Sequence, residues 1–363
     1  MALGKRKQEE QLAWVATTDL PTSPGHPFYQ KLNRLLGEAK FDEYVEGLCR
    51  PYYAANLGRP GIPPGVYFRM LFVGYFEGLD SQRGIAWRCH DSRSLQAFLG
   101  YSITDPTPDH SSLSIIRQRL PFEIHEQVFA KVLAIAQTKK LLKGKAVAVD
   151  STLIEAEAAM KSIVRRDSGD DWKKYVRKLA AEEGIEIVTD EDLRKFDKKR
   201  KGKRVSNDEW YNPHDPDAKI AKMKDGRTHL AYKTEHAVYK NRRRVRGKRG
   251  KHLGRLRSEY TERSFAHVCR TGGARRSRLR GLADVGKRYL MYVAARNLGV
   301  MMRALFRMGP PKSLQAEGAA SPCAVWEWLV IVPMPLRGLC RSSVLSPPFA
   351  HDQSVPARMS CAA

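Results

Sequence analysis

Apolar residues recur at helical spacing from 28 to 142, which predicts a helical region. Within it, Val66-Tyr-Phe-Arg-Met-Leu-Phe-Val-Gly-Tyr-Phe76 is apolar on nearly every side. Opened by Ile62-Pro63-Pro64 and stopped by Gly78, it predicts a buried helix. Asp80-Ser81 predicts the start of a second helix through Trp87. After the turn Asp105-Pro-Thr-Pro-Asp109, Asp109 is placed to cap a helix carrying Leu113, Ile116 and Leu120 inward, with Arg117 and Arg119 facing elsewhere. A further amphipathic helix has Ile124, Val128, Val132 and Ile135 on one face.

At Lys145 the period changes. Ala146-Val-Ala-Val149 predicts a short strand ending at Asp150-Ser151-Thr152, and Thr228 to Val238 predicts a second strand after the Asp225-Gly226 turn. Between them, residues 161 to 210 are charged and partly helical, with eight Lys/Arg from Arg194 to Arg204, and read as a solvated insertion. A last helix is expected from Tyr289 to Phe306; its Arg296, Asn297 and Arg303 favour packing against protein over spanning a bilayer. The expected layout is an amino-terminal extension (1–27), a helical domain with helix-turn-helix character (28–142), a mixed α/β region (143–308) and an irregular tail (309–363) holding eight of the 20 prolines.

Charge narrows the function. The chain of 363 residues has 64 Lys plus Arg against 39 Asp plus Glu, a formal +25, which favours a polyanionic partner, nucleic acid foremost. The tail has four basic and three acidic residues, so the excess belongs to the preceding body. Ten Lys/Arg and no acid lie between Lys240 and Arg257. The six cysteines are scattered without CxxC or zinc-ligand spacing, and the amino terminus has no apolar run suited to a signal peptide; a reducing cytoplasm is expected. The apolar run from Cys323 to Val332 is too short to span a membrane.

Two carboxylates stand out. Asp150, at a strand edge, could hold Mg²⁺ or equally serve as a cap or turn residue. Glu262, just after the densest basic run, could be a second ligand or an ordinary surface partner of Arg263 and Arg255. The basic residues Arg117, Arg119, Arg242, Arg243, Arg244, Arg246, Lys248, Arg249, Arg275 and Arg276 are candidates for the DNA backbone. His229, His236 and His267 have no partner at metal-ligand spacing and read as structural.

Several stretches together resemble bacterial insertion-sequence transposases of the DDE class. They are Arg59-Pro-Gly-Ile-Pro-Pro64 with Phe76-Glu-Gly-Leu-Asp80, Asp105 to Leu113, Val147-Ala-Val-Asp-Ser-Thr-Leu-Ile-Glu-Ala156, Asp215 to His229, and Glu262-Arg-Ser-Phe-Ala-His267 with Thr271-Gly-Gly-Ala-Arg-Arg276. The resemblance implies an InsH-type helical domain, then a ribonuclease H-like mixed sheet with helices, an α+β or α/β arrangement. It also implies that Asp150 and Glu262 are the first and third ligands of Mg²⁺ (or Mn²⁺) in DNA cleavage and strand transfer.

The family's middle Asp, expected on a strand beyond Val238, has no counterpart, because no Asp lies between Val238 and Glu262. An internal deletion is the expected cause, leaving the sheet incomplete and catalysis defective. Asp215, Asp217, Asp225 and Asp284 remain as conceivable substitutes. The implied partners are transposon inverted-repeat ends and a second copy or an intact transposase, in a cytoplasmic, nucleoid-associated setting without membrane. An inactive repressor that binds DNA ends or dimerises with the intact enzyme is the rival expectation.

Overall fold

Among the described residues the helical pattern ahead of residue 142 forms seven α-helices: α1 (Pro27–Glu38), α2 (Phe41–Cys49), α3 (Pro64–Glu77), α4 (Gln82–Asp91), α5 (Arg93–Leu99), α6 (His110–Arg119) and α7 (Phe122–Thr138). The computed structural model describes residues 25–54, 61–141, 150–185, 189–199, 206–223, 225–236 and 264–311. Local chemistry sets the helix ends. Pro64 opens α3, and Gly78, at φ +66°, closes it so that the Leu79 N–H returns to Gly74 O at 2.7 Å. Ser81 Oγ accepts from the Gly84 N–H at 3.0 Å, and Asp109 Oδ1 from the Ser111 N–H at 2.9 Å, satisfying donors that a helix start leaves open.

Every residue of α3 from Gly65 to Phe76 is buried, as its pattern predicts. The exception to its apolar character, Arg69, is fully supplied with acceptors. Its Nε and Nη2 grip both oxygens of Asp42 on α2 at 2.9 and 2.7 Å, while Nη1 donates to Asn33 Oδ1 on α1 and to Phe98 O on α5. One guanidinium thus ties three helices to a fourth. Gly65 makes room for it, since a Cβ there would lie 2.6 Å from the Asp42 carboxylate.

After residue 150 come β1 (Asp150–Glu155), β2 (Val164–Arg165), α8 (Trp172–Glu182), α9 (Asp190–Lys199), β3 (Trp210–Tyr211), β4 (Lys219–Lys222), β5 (Thr228–His236) and α10 (Leu282–Phe306). The architecture is α+β. Among the described residues its ladders are antiparallel, in the orders β1-β5-β4 and β2-β3, and parallel pairing is confined to one bridge between Glu155 and Arg276.

Three sequence expectations need correction. The strand expected to end at Asp150-Ser151-Thr152 continues to Glu155; its expected beginning at 146–149 lies outside the described residues. The segment from 161 to 210 is not merely solvated: Ile163 and Trp210 join Ala156, Ala218, Leu230, Tyr232 and Val285 in one buried cluster, with Trp172 and Tyr175 packed against it. Sparse apolar residues at helix and strand spacing supply that face while the charges remain outside. Finally, α10 begins at Leu282, seven positions before the expected start at Tyr289 and is 25 residues long.

Helix α10 packs most extensively against α7 and α3 and is buried from Val285 to Met302 except at Arg288. Gly299 lets it approach, with the site of a Cβ 3.3 Å from the Phe76 ring. The Tyr292 hydroxyl donates to Leu79 O at 2.7 Å, and Gly272 sits so close to the Tyr75 ring that a Cβ would fall 2.4 Å from it. No helix among the described residues is long and apolar enough to cross a membrane.

Two measurements check this packing. Arg69→Ala should lower the unfolding free energy by roughly 3–5 kcal/mol, because it strands Asp42 and Asn33, and Arg69→Lys should recover little of it, since an ammonium cannot reproduce the fork; urea titration reads both. His125 on α7 is buried, donates from Nδ1 to Pro121 O (3.2 Å), has Nε2 3.3 Å from Tyr67 Oη, and faces Lys287, Asp284 and Arg117. Burial pushes its imidazole down to about 4. The folded state is then neutral where the unfolded state takes up a proton. The contribution is complete above pH ~6.5 and is lost as pH falls toward ~4, by roughly 3 kcal/mol. In His125→Gln this slope between pH 6.5 and 4 should flatten.

Candidate functional site

Asp150 begins β1 directly opposite His236 at the end of β5. Its side chain, Glu262, and the basic residues Arg242, Arg243, Arg244, Arg246, Lys248 and Arg249 lie outside the described residues. What the structure does describe is the surroundings of β1 and the four aspartates considered as substitutes.

Each of those four is engaged elsewhere. Asp215 is buried, accepts from the Tyr232 hydroxyl, and lies 3.4 Å from the Gly281 N–H. Burial and this carboxylate raise the Tyr232 phenol well above its ordinary range. Asp217 Oδ2 accepts from the Leu282 N–H at 3.0 Å. Both carboxylates therefore sit at the amino terminus of α10, where open N–H groups and the helix dipole favour negative charge. Asp225 closes the β4-β5 turn through the Arg227 N–H at 2.9 Å, a bond that holds its carboxyl below the usual range, and contacts His229 Nε2 at 3.1 Å. Asp284 accepts from Arg117 Nε at 3.1 Å and from Lys287 Nζ at 3.3 Å.

The described DNA-contact candidates divide into two groups. Arg117 turns inward to Asp284 with its side chain 12 % exposed, so its cation fastens α6 to α10 instead of facing solvent. Lys287 reinforces the seam by donating to Arg117 O at 3.0 Å. Arg119 is exposed and lies 4.8 Å over the Tyr53 ring. Arg275 and Arg276 are exposed beside the end of β1: Arg275 O accepts from the Glu155 N–H at 3.1 Å, and Arg276 Nε lies 3.5 Å from Glu157. His229, treated as structural, lies between Glu155 and Asp225, 3.6 and 3.1 Å from their carboxylates.

No group of three His, Cys, Asp or Glu among the described residues could hold a metal ion. The described residues therefore supply no set of three carboxylates of the kind that brings two cations together against their repulsion. Sequence reasoning did not find the capping role of Asp215 and Asp217, because the helix they cap begins more than sixty residues later.

Residues 18–119 match the Transposase domain (DUF772), and residues 217–302 match the Transposase DDE domain. The chain belongs to the insertion-sequence DDE transposases. The first match ends at the last residue of α6, and the second begins at Asp217, beyond Asp150, and runs through most of α10. No curated protein and no solved structure matches the chain.

The capping assignment is checked by amide hydrogen exchange. Asp217→Ala should cost about 1 kcal/mol and speed exchange at the first turn of α10, leaving α1 and α2 unchanged. Asp215→Ala, which also strands the Tyr232 hydroxyl, should cost more, about 2–3 kcal/mol.

Proposed function

We propose that this chain binds DNA as a transposase-family protein, on insertion-sequence ends, and that its cleavage and strand-transfer chemistry is impaired. The observation that carries the reading is the engagement of every described substitute aspartate in the fold. Asp215 and Asp217 hold the start of α10, Asp225 holds a turn, and Asp284 holds Arg117 and Lys287. Asp215 and Asp284 cannot move to a metal site without leaving a buried hydroxyl or a cation unpaired.

On this reading β1 and β5 are the remnant of a ribonuclease H-like sheet, and an internal deletion after Val238 removed the strand with the middle Asp. α4 to α6 correspond to a helix-turn-helix region. Asp150 and Glu262 are the retained first and third carboxylates, with Mg²⁺ or Mn²⁺ as the family's ion. The formal charge of +25 supplies the attraction to DNA. A chain that occupies inverted-repeat ends without cutting them, alone or paired with an intact transposase, would act as a repressor of transposition in the cytoplasm at the nucleoid.

The reading separates binding from chemistry. Affinity for duplex DNA, followed by fluorescence anisotropy, should fall steeply and linearly in log–log form as salt rises. It should change less than about twofold in Asp150→Ala and Glu262→Ala. Unmeasurable affinity at low salt would remove the DNA-binding reading altogether.

A further inference from the structure

Trp87 is 68 % exposed on α4, although the neighbouring Ile85, Ala86 and Cys89 are buried. Among the described residues it has no ring or hydrogen-bond partner. Two ties fix its surroundings. At the start of α4, Gln82 accepts from Ser114 Oγ at 2.5 Å; at its end, His90 Nδ1 lies 3.2 Å from Thr107 Oγ1. The chain from 107 to 114 therefore runs back along α4. Helical spacing places the exposed Arg83, Trp87 and His90 along one stripe of α4, and the exposed Ser111, Ile115 and Gln118 along one stripe of α6. With the two segments running in opposite directions, both stripes flank the seam on the same side.

We infer that this seam is a contact surface for DNA carrying unpaired bases, with Trp87 as the stacking platform. The inference rests on the DNA-binding reading above and names the form of DNA that this face fits. Its chemistry favours a nucleic acid over a protein. Around the indole the stripe offers cationic and hydrogen-bonding groups, namely Arg83, His90, Ser111 and Gln118. The nearby carboxylates are occupied: Asp109 by the Ser111 N–H and His110, Asp91 by Arg88. A flat aromatic among donors matches the face of a base beside a phosphate chain, and every base presents such a face whatever its identity.

The full chain is tested by anisotropy on a blunt duplex and on the same duplex with a short single-stranded tail. The wild type should favour the tailed DNA. Trp87→Ala should lose that preference, weakening tailed binding roughly tenfold while blunt-duplex affinity and its salt slope stay put. Trp87→Phe should retain part of the preference. Equal binding of both DNAs by the wild type, or a preference that Trp87→Ala leaves intact, overturns the inference while the DNA-binding reading stands. Absence of binding to either DNA overturns both. A change in sedimentation from dimer to monomer in Trp87→Ala would assign the patch to a second copy, and a lowered unfolding temperature would assign it to the chain's own packing; either result overturns the inference.

Discussion

The fold depends on the mutual burial of α3 and α10. Each is buried around most of its circumference, and each fully buried Leu, Val or Phe side chain contributes roughly 1.5–3 kcal/mol only when covered. The covering partner for the early helix comes from the far end of the described chain. Everything that fixes the height and rotation of α10 then becomes a condition for the helical region as well. Asp215, Asp217 and Tyr232 set its start, Arg117 and Asp284 set its flank, and Tyr292 reaches the turn that ends α3.

This dependence connects fold to function. In a transposase of this class, acidic residues are needed where metal ions gather, yet here the described aspartates with the right character are held by open helix N–H groups, a turn and a buried cation. Beside the end of β1 the outward charge is basic, at Arg275, Arg276, Arg278 and Arg280. A surface of that kind attracts DNA without requiring any catalytic geometry, because phosphate contacts depend on charge and reach more than on exact placement.

Much of the helical region was legible in the sequence because its signals are local. The uniform apolarity of Val66 to Phe76, the Gly78 stop and the Ser81 and Asp109 caps each act within a few residues and each appears in the fold. The earlier start of α10 was not legible: its caps are contributed by residues 215 and 217, and no local pattern encodes a cap from that distance. The inward turn of Arg117 was hidden likewise, since helical spacing places it off the apolar face while its partner, Asp284, lies on another helix. In the 161–210 segment the charge outweighed the few aromatic residues in the pattern, although Trp172, Tyr175 and Trp210 were the signal that it packs. For the site, the pairing of Asp150 with His236 follows from strand register, which a single sequence does not set.

On the proposed function, DNA binding has outlived the chemistry. The most direct test is to incubate the purified chain with a supercoiled plasmid carrying the element's inverted-repeat ends, with Mg²⁺ or Mn²⁺ present, and to separate the products on a gel. The plasmid should be retarded by bound protein and return fully supercoiled once the protein is removed. Nicked or linear product that disappears with Asp150→Ala or Glu262→Ala would contradict the proposal.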